Sequence, residues 1–238
     1  MLSREQIVAA LQQQMRLAEN AHHVQCERVT TGIAALDRLL PQGGVSRGTL
    51  VEWLGEPGAG RSTLALLTAR EACREGGSLV AIDRPRRLYP PAAARLGIDL
   101  ERLIVVRPQN QADERWAVHQ ALSCPAVAAV LCWPEKLDDR TFRRWQLAAE
   151  RGKCLGLVVR PEQARAQPAW SEVRLLVRGL PVRRLPAEGN RRVRVEVVHC
   201  RGASAEKCVE LEFDDATSAV HLVAELADST PHARPAGA

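Results

Sequence analysis

No apolar run in this chain is longer than a strand, and no basic-plus-apolar leader opens it. These absences argue against a membrane-spanning helix and a secretory signal, and lead us to expect a soluble, cytoplasmic protein with no membrane partner. No segment repeats. None of the seven cysteines (26, 73, 124, 132, 154, 200 and 208) forms a C-x-x-C pair, their number is odd, and most sit inside apolar runs. That pattern fits buried thiols in a reducing compartment better than disulfides or a zinc site. His22, His23 and Cys26 are the one tight cluster of ligand types, and their spacing suits no common metal site, so no metal is expected. Aromatics make up only 3% of residues. What the chain does have is 46% apolar residues over 238 positions, enough for one domain with a sizeable core.

The most informative segment is Gly55-Glu-Pro-Gly-Ala-Gly60-Arg-Ser-Thr63. Its spacing is that of the phosphate-cradling P-loop, G-x-x-x-x-G-K-[ST], with Arg61 in the lysine position. An apolar strand, Gly48 to Leu54, precedes it and a helical run, Thr63 to Cys73, follows; that context makes the motif credible. Gly55, Gly58 and Gly60 would let backbone N–H groups converge on an anion, and the helix start at Arg61, Ser62 and Thr63 adds about half a positive charge. Those six residues are the candidate nucleotide site. A planar guanidinium is not equivalent to a compact ammonium, so Arg61 alters the loop even while keeping its charge.

Downstream, strands read as continuous apolar runs alternating with helices. The strands are Ser78–Ile82, Leu103–Val106, Ala126–Cys132 and Leu155–Val159; the helices are Ala92–Leu96, Gln111–Ser123 and Arg140–Arg151. This predicts an α/β fold with a mainly parallel sheet covered on both faces. A shorter helix is expected within Thr31–Leu40, ahead of the P-loop strand. After about residue 172 the pattern changes to alternation, over 172–178, 182–185, 191–199 and 208–213, which predicts antiparallel strands with one wet face. Residues 228–238 lack apolar side chains and are expected to be a disordered tail.

This order of elements, with Thr31-Gly-Ile-Ala-Ala-Leu-Asp37 ahead of the P-loop, resembles the RecA core from about Val29 to Phe213. Ser78–Asp83, Ala93–Leu103 and the hairpins after Ser171 match the same layout. The likeness is greatest to the ImuA family, RecA-like members of the bacterial ImuA–ImuB mutagenesis cassette. The division it implies is an N-terminal helix and linker over 1–28, a RecA-like core over 29–227 and a tail. Against that family pattern, Pro85 stands where RecA carries the glutamate that activates water, and Cys132-Trp133 stand where the magnesium-associated aspartate belongs. Glu135 is the first carboxylate after that strand, and Arg160-Pro161 replace a polar amide that senses the γ-phosphate. Loss of one stabilising group commonly costs about 10² to 10³ in rate, so the resemblance implies no catalytic residues, a pseudo-ATPase, and at most ATP bound without hydrolysis. It further implies a non-catalytic scaffold of SOS-induced, error-prone translesion synthesis. Its partners would be ImuB, RecA and an error-prone DNA polymerase III alpha-type subunit. Two alternatives stay open: a slow DNA-stimulated ATPase in which Arg61 clamps phosphate and Glu135 substitutes for the missing carboxylate, and a SulA-like cell-division inhibitor.

Two surfaces complete the reading. Between residues 140 and 201 there are fifteen Lys/Arg against five Glu, a charge excess suited to single-stranded DNA. Arg143, Arg144, Arg191, Arg192 and Arg194 are the candidate phosphate contacts, with Trp145 and Trp170 as the nearby stacking rings; the plainer alternative is a solvated sheet face. The DNA loops of RecA have short counterparts here, between Trp133 and Arg140 and between Arg160 and Trp170. Near the start, Ser3-Arg-Glu-Gln6 reads as a capping box for a helix whose apolar stripe, with Val8, Leu11 and Met15, would dock on a partner.

Overall fold

A computed structural model describes residues 27–180, 191–201, 207–214 and 219–224. The expected helix bearing Val8, Leu11 and Met15, the strand expected at 182–185 and the tail lie outside the described residues. The described residues open with a two-stranded antiparallel ribbon, β1 (Arg28–Val29) and β2 (Val45–Ser46), enclosing the short helix α1 (Ala34–Asp37) and a 3-10 turn at Pro41–Gly43. The expected helix over Thr31–Leu40 shrinks to this one turn because Thr31 and Asp37 close it as a loop: the Thr31 N–H and hydroxyl both donate to Asp37 Oδ1, at 2.7 and 2.8 Å.

Then β3 (Leu50–Gly55), α2 (Arg61–Ala72), β4 (Ser78–Ile82), α3 (Pro90–Arg95), β5 (Leu103–Val106), α4 (Gln111–Leu122), β6 (Val127–Cys132), α5 (Asp139–Gly152) and β7 (Leu155–Arg160) alternate as expected. Four more strands follow: β8 (Val173–Leu180), β9 (Arg191–Cys200), β10 (Cys208–Asp214) and β11 (Ala219–Ala224). They form a nine-stranded sheet in the order β11-β10-β9-β8-β3-β7-β6-β4-β5. Every residue of β3, β6 and β7 is buried, as their largely apolar runs require of strands covered on both faces. One face carries α2 and a cluster with Trp53, Leu64, Trp133 and Phe213; the other carries α4 and α5, with Leu50, Phe142 and Trp145. Asn110 and Asp138 cap these two helices by accepting from the N–H groups of Asp113 and Thr141.

The strand expected at 172–178 is antiparallel to only one neighbour and is wet only from Arg178 onward. As β8 it runs parallel to β3 and antiparallel to β9, and Val173–Val177 is buried throughout. Its polar positions are neutralised inside the protein. Glu172 accepts from the Ser46 N–H and hydroxyl at 2.9 and 2.7 Å and from Thr49 Oγ1 at 2.9 Å. Arg174 pairs with Glu52 at 2.6 Å. Antiparallel pairing starts only at β9, where Val193, Val195 and Val197 face the core and the residues between them are more open. Among the described residues no helix is long and apolar enough to cross a membrane, and no group of three His, Cys, Asp or Glu is placed to hold a metal. Cys132, Cys154 and Cys200 are buried as expected, but Cys124 is exposed.

Candidate nucleotide site

The loop between β3 and α2 has P-loop geometry. Gly58 and Gly60 take left-handed backbone angles, φ +85° and +91°, and Gly60 is the N-cap of α2; that conformation favours glycine. Gly55, at φ +144°, is fixed for another reason: a Cβ there would lie 2.3 Å from the Val177 carbonyl oxygen. Gly55 therefore serves the packing of β3 on β8. Of the six residues assigned to the nucleotide from sequence, Gly58, Gly60, Arg61, Ser62 and Thr63 line one open cleft of about 350 Å³, together with Pro57, Arg87 and Arg191. Gly55 is not on its wall. Arg87 and Arg191, which the motif does not contain, make the cleft cationic. Arg191 had been assigned to a DNA surface; the structure puts it here, stacked 5.6 Å from the Phe213 ring centroid.

Arg61 is 4% exposed. Its Nη1 donates to the Gly55 carbonyl and, at 2.6 Å, to the Arg160 carbonyl. The guanidinium thus ties the C-terminal ends of β3 and β7 together. Burial, with help from Arg87, pushes its pKa below the ordinary arginine value, in keeping with a cation held for structure. Ser62 occupies the position whose hydroxyl holds magnesium in a P-loop. Here Trp133, 2% exposed at the end of β6, donates its indole N–H to Ser62 Oγ at 3.0 Å. An indole has only a donor to offer, so this side chain cannot stand in for a carboxylate.

The nearby acids are spoken for as well. Asp83 is buried and accepts from the backbone N–H groups of Arg87 and Leu88, at 2.7 and 3.0 Å, shaping the turn that contains Pro85. Glu135 pairs with Arg84 at 3.0 Å, and the same guanidinium bonds Glu114 at 2.9 Å. These two carboxylates raise the Arg84 pKa. The residues present therefore fit an anion in the cleft and do not fit a magnesium ion beside it.

Behind the loop lies a buried charge cluster that sequence reading missed. Glu52, fully buried in β3, accepts from Arg160 Nη1 at 2.7 Å and from the Ser171 hydroxyl at 3.0 Å, and pairs with Arg174 Nε at 2.6 Å. Arg160 also reaches Gln167, and Arg174 donates to the carbonyls of Ala164, Arg165 and Gln167. The connection after β7, expected to be brief, is the 3-10 turn Glu162–Ala166, held from beneath by this cluster. A lone glutamate inside an otherwise apolar strand was the available signal, since a charge there needs a partner.

The remaining arginines assigned to DNA are not one surface. Arg192 and Arg194 are ion-paired across the strands with Glu212 and Glu210, at 2.9 and 2.6 Å. Arg143 on α5 lies 4.5 Å above the Trp170 ring, and Arg144 lines a separate cleft beside α4. Trp145 is core, its indole N–H donating to the Arg115 carbonyl. Trp170 donates to Asp139 at 2.8 Å.

Comparison with known proteins agrees with this architecture. The segment 8–129 matches the RecA N-terminal domain. Protein RecA from Brucella anthropi, Brucella canis and Brucella suis is 42% identical over 96 residues, 40% of this chain and 27% of each relative. The likeness thus spans little more than a quarter of those relatives' length. The family match covers just over half of this chain, through the P-loop, α2 and the strands up to β6, and on that match the chain belongs to the RecA N-terminal domain family.

Proposed function

We propose that this protein is a RecA-like accessory of error-prone translesion DNA synthesis, of the ImuA type, that does not hydrolyse ATP. The observation carrying the second half is the Trp133 to Ser62 hydrogen bond. Phosphoryl transfer depends on positioned charge, above all a metal ion on the phosphates, and here an indole engages the hydroxyl that would ligate it. Arg61, anchored on two carbonyls, is held away from the role of the lysine it replaces. Anion binding in the cleft between Arg87 and Arg191 is compatible with this reading and would let nucleotide act as a ligand without turnover. The scaffold role and its partners, ImuB, RecA and the alpha-type polymerase subunit, are inferred from family resemblance.

Steady-state phosphate release with single-stranded DNA present tests the catalytic half, with no turnover expected. A turnover abolished by Gly60→Asp would overturn it. Co-purification with ImuB, with and without ATP, tests the scaffold half.

A further inference from the structure

Many of the described arginines pair with a carboxylate, as Arg84, Arg115, Arg160, Arg174, Arg192 and Arg194 do; the outer face of α5 presents three that do not. Arg140, Arg144 and Arg151 are exposed, and none makes an ion pair or side-chain hydrogen bond with another described residue. They lie four and seven residues apart, close to one and two helical turns, so they share a face. The acidic groups nearest in sequence are engaged elsewhere. Asp138 bonds Thr141 and pairs with Arg115, Asp139 accepts from Trp170, and Glu150 accepts from Gln146.

Beside this face α4 presents Trp116, 66% exposed. An indole so open on a helix that otherwise packs into the core is unusual, because tryptophan burial is a large part of what drives folding. Between the helices is a cleft of about 300 Å³, walled by Arg115, Trp116, His119, Thr141 and Arg144 with Trp145 at its base. His119 Nδ1 and Arg115 Nε are buried without a hydrogen-bond partner. Burial lowers the His119 pKa, and the nearby Arg144 and Arg151 add to that lowering.

We infer that this α4–α5 cleft is a binding site for single-stranded nucleic acid, with one base stacked on Trp116 and the flanking phosphates on Arg140, Arg144 and Arg151. A flat, open ring among unpaired guanidiniums is the arrangement by which single strands are held without sequence preference. In a duplex the bases already stack on each other and would leave the ring without a partner. The site is separate from the P-loop cleft and does not rest on the absence of hydrolysis; phosphate release and strand affinity can fail independently.

The test uses the full chain and labelled oligothymidylate and oligouridylate of about 20 nucleotides, longer than one stacking site, with affinity read by anisotropy across a salt series. Binding of either sugar supports the site, because both strands offer stacking bases and phosphates. Trp116→Ala should weaken binding about 5- to 150-fold, the usual range for one stacked base, while Trp116→Phe retains most of it. Arg140→Ala and Arg144→Ala should each lower the slope of log affinity against log salt by about 0.7. Arg192→Ala, on the carboxylate-paired β9, should change neither. Should Trp116→Ala melt early by circular dichroism, Arg144→Glu, altering only an exposed side chain, decides in its place. The site is wrong if no oligonucleotide binds, if Trp116→Ala binds as tightly as the parent, or if polyglutamate competes as well as unlabelled strand.

Discussion

Glu52 with Arg160 and Arg174, and the β9–β10 pairs Arg192–Glu212 and Arg194–Glu210, use the same two residue types at nearly the same distances. The first set is 0 to 7% exposed; in the second the arginines are 41 and 48% exposed. Inside, each charge has lost its water and depends on the others, so removing one member strands the rest. Outside, water and salt do much of the same work, and the pair mainly decides how much free positive charge the sheet presents. The pair of sites shows why a count of arginines overstates the positive charge a surface leaves free: Arg192 and Arg194 on β9 are already paired with carboxylates.

The comparison breaks first at Glu52. Glu52→Ala leaves two buried guanidiniums unpaired and should cost about 3–5 kcal/mol, measured by urea unfolding; a loss below about 1 kcal/mol would mean the cluster is hydrated and no different from the surface pairs. Trp133→Phe is expected next, at about 1–3 kcal/mol for the lost hydrogen bond to Ser62 and the smaller ring. It sharpens the contrast because a neutral buried bond should be unaffected by salt. Arg192→Ala should cost about 0–1 kcal/mol, shrinking further in high salt. A salt-insensitive loss of several kcal/mol there would erase the distinction.

A pH titration probes partly desolvated histidines in another way. Burial is the main cause that lowers the pKa of His119 and of His199, with arginines adding to it in both cases. A histidine depressed on folding binds fewer protons in the native state, so its contribution is present above about pH 6.5 and is lost as pH falls through the lower native value. Stability should therefore decline as pH falls from about 6.5, and His119→Gln with His199→Gln should flatten that decline. The check is the urea midpoint across pH.

The parallel part of the sheet was legible because β6 is apolar throughout and β3, β4 and β7 nearly so, interrupted only by Glu52, Ser78 and Arg160, a pattern that a strand buried on both faces imposes. β8 was misread because Glu172 and Arg174 supply the alternation of a wet strand, and only their partners in β2 and β3 show that both are internal. The P-loop was legible from glycine spacing. The orientation of Arg61 was not, since a guanidinium can serve a phosphate or two carbonyls equally well and the choice depends on where β7 ends. The exposure of Trp116 was not legible, because it is set by how α4 packs against α5 rather than by its own neighbours in the chain.

The place of β3 in the sheet has a consequence during synthesis. Its two neighbours are β7 and β8, and Val51 aligns with Leu157 on one side and Val173 on the other. A ribosome adding about 5–20 residues each second must therefore run for some 5–20 s after making the P-loop strand before either edge can be covered. For that interval Val51, Trp53 and Leu54 belong to an unpaired apolar strand, the kind of segment that nascent-chain chaperones bind.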